Sequence, residues 1–123
     1  MSRSSEEELV ARLQQGLHEQ TREHAFLYLD PDGRIVGWRG AAEQIFGYAE
    51  DEVLGAPGRL IFTPEDIGSG LDQHELATAA RDSRAEDDRW HVRKDGIRIW
   101  VPGAVTAIRG VRGELLGYVK VVR

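Results

Sequence analysis

The chain has no cysteine among its 123 residues, so neither a disulfide framework nor a thiolate metal site can form. No apolar run approaches the roughly 18 to 20 residues that span a bilayer, and the N-terminus MSRSSEEEL lacks an apolar signal core. Residence in the cytoplasm, away from membranes, is the expectation. Positive charge is not in excess. The 16 Lys and Arg are scattered among 21 Asp and Glu, and a net charge of −5 argues against a nucleic-acid surface, which normally clusters its cations. There is no internal repeat, no low-complexity segment, no nucleotide-binding glycine box and no Gly-x-Ser-x-Gly elbow.

What remains is an ordinary soluble composition, 41% hydrophobic and 30% charged, long enough for one core. Ser5-Glu6-Glu7-Glu8 fits a capping box, with acidic groups at the positive end of a helix dipole. The helix it predicts, Ser5 to Glu23, would be roughly 28 Å long. Its apolar positions Leu9, Val10, Leu13 and Leu17 form a narrow stripe, too thin for a domain core. Such a stripe suits packing on a neighbour, with a second copy in a short coiled coil as the first reading and its own domain as the second.

From Ala25 the pattern changes. AFLYLD suits a buried strand, Pro31-Asp32-Gly33 a tight turn, and RIVGW a returning strand whose Gly37 marks a bulge or a close backbone approach. Ala41 to Phe46 reads as a short helix ended by Gly47, and Glu50 to Val53 as another. Thr63 caps a helix with Pro64 at its first position. Leu71 to Ser83 is a clearer helix, with Leu71, Leu76, Ala79 and Ala80 inside and Arg81, Asp82 and Arg84 towards its exposed end. Two alternating runs, Asp87 to Lys94 and Ile97 to Ile108, flank Asp95-Gly96, a strong hairpin signal. One of the two runs is expected beside the Ala25–Asp30 strand, and Glu114 to Val122 closes the sheet. Two strands, several short helices and three strands make an α+β fold: an antiparallel meander with helices over one face.

The motifs along this order resemble the PAS domain family. They are Ala42-Glu43, Ile45-Phe46-Gly47-Tyr48, Glu52-Val53-Leu54-Gly55, Phe62-Thr63-Pro64-Glu65-Asp66, Glu75-Leu76, Arg89 to Gly96, and Gly117-Tyr118-Val119-Lys120. The chain departs from many relatives at Trp38-Arg39, where they read Trp-Asn, which weakens any ligand role for a side-chain amide there. The resemblance implies residues 1–24 as a flanking helix and 25–123 as a PAS domain with a five-stranded antiparallel sheet. It further implies a sensory and dimerising module of a bacterial two-component signalling protein, similar to those ahead of histidine kinases. Its partners would be a second copy, paired partly through Val10, Leu13 and Leu17, and an output domain beyond Arg123. No catalysis is expected of this segment.

The alternative is a small-molecule receptor whose pocket uses Ile45, Phe46, Tyr48, Phe62, Leu76, Trp90 and Trp100, for an aromatic metabolite, flavin or haem. The same aromatics are first of all core, and the Trp pair could instead face outward. The residues name no cofactor, and none is required. Without cysteine the cysteinyl–flavin photochemistry of one light-sensing branch is excluded. His74 stands on the helix that supplies the axial ligand in haem-binding relatives, although Glu75 beside it and the nearby alanines suit a surface histidine better. His18-Glu19 resembles a phosphoacceptor site only superficially, and its spacing of six from His24 does not suit a metal.

Overall fold

The computed structural model describes the backbone of residues 3–20 and 23–123, and the side chains of 5–13 and 23–123. Helix α1 runs Arg3–Gln20. It begins two residues before the expected cap, so Ser5 lies within the helix and not at its N-cap. Leu17 and His18 fall where only backbone is described.

Strands β1 (Ala25–Leu29) and β2 (Ile35–Gly40) form the first hairpin. Asp30 Oδ1 closes the turn by accepting from the N–H groups of Asp32 and Arg34, each at 2.9 Å, while Gly33 takes φ +83°. Gly37 is the close approach its position suggested: a Cβ there would sit 2.3 Å from the Tyr28 ring. The register slips beside it, between Tyr28 and Leu29.

Helices α2 (Ala42–Phe46), α3 (Glu50–Val53), a 3₁₀ turn at Gly58–Ile61, α4 (Pro64–Gly68) and α5 (Leu71–Asp82) then cross the sheet. Gly47 ends α2 in the left-handed conformation, and Thr63 caps α4 by accepting from Asp66 N–H at 3.2 Å. Ser83 at φ +75° ends α5 and turns the chain into a strand that includes Arg84.

The last third contains more strands than the alternation indicated. These are β3 (Arg84–Glu86), β4 (Arg89–Val92), β5 (Arg98–Val101), β6 (Gly103–Arg109) and β7 (Leu115–Val122). The second expected hairpin arm is broken at Pro102, while the first is strand only from Arg89, after the link that follows β3. Pro102 has no N–H for the ladder, and Asp88 Oδ1 takes the Gly103 N–H at 3.0 Å across the break. The antiparallel sheet is five-stranded, in the order β2-β1-β7-β6-β3, with β4 and β5 as a separate two-stranded ribbon. Asp95-Gly96 reverses that ribbon, with Gly96 at φ +85° and Trp90 opposite Trp100. The strand beside β1 is β7, so neither arm of the Asp95-Gly96 hairpin lies against Ala25–Leu29. β7 is the longest strand, and its Tyr118, Lys120 and Val122 share the inner face with Leu29, Leu27 and Ala25.

That inner face and the helices enclose the core, which includes Leu27, Ile35, Trp38, Phe46, Val53, Ile61, Val105 and Val122. The ribbon is fastened to the helices by Arg93, which donates to the carbonyls of Gln44 and Ile45, and by Lys94 N–H, which donates to Phe46 O at 2.8 Å. Lys94 also pairs with Glu52, as Arg39 does with Glu50.

Candidate functional site

At the seam between sheet and ribbon lies a buried cluster of charge. Asp87, in the link from β3 to β4, is fully buried, as is His91 of β4. Glu75 of α5 and Lys120 of β7 are 3% and 2% exposed. Lys120 Nζ lies 2.8 Å from Asp87 Oδ2 and 3.0 Å from Glu75 Oε1. Arg89 bridges the same two carboxylates, 2.5 Å from Asp87 Oδ1 and 3.0 Å from Glu75 Oε2. His91 completes the arrangement, with Nε2 at 2.9 Å from Asp87 Oδ2 and Nδ1 at 2.9 Å from the Ile61 carbonyl. The Phe62 ring roofs it, 4.3 Å from Lys120 Nζ and edge-on to the His91 ring at 4.9 Å.

Burial this deep is tolerated because each ion meets an opposite one, and removing any single partner would leave a charge without compensation. The cluster also divides its carboxyls. Burial pushes Glu75 up to about 8, with Asp87 adding to the rise against the pull of Lys120. Asp87 is held far below the usual carboxylate range, because Lys120 and the His91 hydrogen bond outweigh its own burial. Burial lowers His91, keeping it neutral beside the two cations, although Asp87 pulls the other way. Glu75 is therefore the member poised to exchange a proton near neutral pH.

Beside the cluster is a cleft of about 40 Å³, walled by Leu27, Leu29 and Leu76, roofed by Phe62, and edged by Asp72 and the Gly33 turn. Of the expected pocket residues, Phe62 and Leu76 line it. Phe46 is buried in the core against Trp38, and Ile45 and Tyr48 pack at the core's margin. Trp90 and Trp100 do not reach the interior. They are 51% and 56% exposed and stack edge-on at 5.7 Å on the outer side of the ribbon, because the inward positions of β4 belong to Arg89 and His91. His74 is exposed and is not among the residues lining the cleft, which removes it as an axial ligand there. Neither a flavin nor a haem fits the cleft, since pockets for drug-sized ligands enclose roughly 300 Å³ or more. Among the described residues no group of three His, Asp or Glu is placed to hold a metal ion, and no helix is long and apolar enough to cross a membrane.

The outer surfaces are apolar in two places. On α1, Leu9, Val10 and Leu13 are 46%, 51% and 62% exposed. The outer face of the sheet shows Tyr28, Ile108 and Leu116, and the ribbon separately exposes its Trp pair.

The charge cluster escaped sequence reading because its members lie on four segments and look like ordinary surface residues one by one. Glu75 reads as a neighbour of His74, and Asp87 as a polar strand entry. The available signal was parity. Lys120 shares its face with Tyr118 and Val122, and Asp87 shares its face with Ala85 and His91, all of them buried.

Residues 23–123 match the family described as PAS domain. The chain is 33% identical over 107 residues to two-component system protein A of Emericella nidulans, covering 87% of this chain. It spans only 16% of the length of that relative. Among solved structures, the PAS domain of a Colwellia psychrerythraea protein superposes with a TM-score of 0.79 at 18% identity, covering 93% of this chain and 95% of that one. A light-oxygen-voltage domain studied with a flavin analogue gives 0.70 at 26% identity, covering 85% and 78%.

Proposed function

This chain belongs to the PAS domain family, and from that premise we propose that it is the sensory and dimerising segment of a signal-transduction protein. The observation that carries the reading is the pair of uncovered apolar surfaces, the α1 stripe and the outer face of the sheet. A second copy offers both surfaces what each lacks, and pairing through them would put neighbouring output domains in register. The relative from a two-component system supports a signalling setting of this kind. In this reading the protein is cytoplasmic, the segment is not itself an enzyme, and it regulates an output such as a histidine kinase.

Sedimentation equilibrium of residues 1–123 tests the dimer. The expected result is a dimer at micromolar concentration that Leu13→Asp shifts towards monomer. A strictly monomeric wild-type chain overturns the dimerising role.

A second reading, a receptor for a small molecule, is favoured by the cleft between Phe62 and Leu76 against a buried charge cluster. Flavin and haem are too large for it, so the ligand would be small and polar. Native mass spectrometry of the purified chain, with a panel of small metabolites, checks it. Only the apo mass, and no stabilisation by any of the panel, counts against it.

A further inference from the structure

We propose that the cleft binds a short neutral alcohol, with its alkyl stem between the leucines and its hydroxyl at the mouth. The inference rests on the receptor reading and names the chemistry of its ligand. Charge decides the first part. The lining holds both the carboxylates Asp32, Asp72 and Glu75 and the cations Arg59 and Lys120. Lys120 is fixed there by its pairs with Glu75 and Asp87. A cationic ligand would meet Arg59 and Lys120, and an anionic one would meet the carboxylates. A neutral molecule meets no like charge on any side.

Size and walls decide the rest. A volume of about 40 Å³ has room for roughly three water-sized groups. Water against Leu27, Leu29 and Leu76 is short of hydrogen-bond partners, so a stem of about two or three carbons gains by displacing it. Two glycines of the lining keep that space open. A Cβ at Gly33 would lie 2.9 Å from Leu76 Cδ1, and one at Gly58 would lie 3.4 Å from Leu29 Cδ2. The mouth, where Asp32, Arg59 and Gln73 are exposed, offers donors and acceptors together. Gln73 and Asp72 are joined only by a long 3.5 Å bond, and the Arg59 guanidinium has no partner among the described residues. A hydroxyl both donates and accepts, so it answers such a mouth better than a group that does only one.

The test is methyl NMR of the whole chain titrated with propan-1-ol, with its charged counterparts propylammonium chloride and sodium propionate as comparisons. The expected result is saturable shifts at the methyls of Leu27, Leu29 and Leu76 with propan-1-ol alone. Affinity should rise roughly fourfold from ethanol to propan-1-ol, the gain from one more buried CH₂, and fall again by pentan-1-ol, which outgrows the cleft. Leu76→Trp, which fills the cleft, should abolish the shifts at Leu27 and Leu29. In Leu76→Ala, which widens it, pentan-1-ol should become the better ligand. Shifts that do not saturate, or that persist in Leu76→Trp, overturn the proposal. Saturable binding of propionate or propylammonium in preference to propan-1-ol overturns it while leaving a receptor in place. No saturable shift with any alcohol removes this ligand class, and a blank metabolite panel alongside removes the receptor reading too.

Discussion

Lys120 is the residue on which the interior depends most. It sits between two buried carboxylates, so Lys120→Met leaves Glu75 and Asp87 with Arg89 alone. We expect a loss of about 3–5 kcal/mol in urea denaturation, the usual cost of breaking a buried pair. A second expectation concerns pH. Glu75 rises from 4.5 to about 8 on folding, so the folded protein holds a proton that the unfolded chain releases above 4.5. Its contribution is complete below 4.5 and is lost as pH rises through 8. His91 works in the opposite sense. It is lowered from 6.5, so stability falls as pH drops below 6.5, where the unfolded chain gains a proton that the folded one refuses. Between 4.5 and 6.5 the two oppose each other, leaving a decline from 6.5 to 8 of up to about 1.4 kcal/mol per pH unit. In Glu75→Gln that decline should vanish from chemical unfolding measured across the range.

At the scale of elements, β7 organises the sheet, and Gly117 shows how tightly it is set. A Cβ there would lie 2.2 Å from the Leu29 carbonyl oxygen, backbone against backbone, at φ +156°. Gly117→Ala should cost about 3 kcal/mol or more, read as a fall in the urea midpoint. The hairpins and caps were legible because each depends on neighbours in sequence: Asp95-Gly96 for the ribbon turn, Thr63-Pro64 for α4, Gly47 for the end of α2. The divisions at Asp87 and Pro102 were not, since they arise where Asp88 crosses to Gly103, 15 positions away. Alternation along β4 likewise suggested that its tryptophan belonged inside. Three polar side chains displaced it, because partners on α5 and β7 made their burial tolerable.

At the scale of the whole molecule, a single chain leaves apolar ground uncovered on α1 and across the sheet, while its polar groups are drawn into the core. If a second copy covers that ground, folding and association are one equilibrium, and stability must depend on protein concentration. Thermal unfolding of residues 1–123 over a hundredfold dilution should lower Tm by several degrees. The dependence should disappear in Leu13→Asp. The family and the fold could be read from local motifs spread along the chain. The cleft's small size and its charged floor could not, because volume and compensation belong to the assembled object.

The ribbon has a mechanical consequence. Arg93 and Lys94 clamp its tip to α2 and α3, while its base meets the sheet at Asp87. It is thus a strut pinned at both ends, with the ion cluster beneath its base and two indole rings along its outward edge.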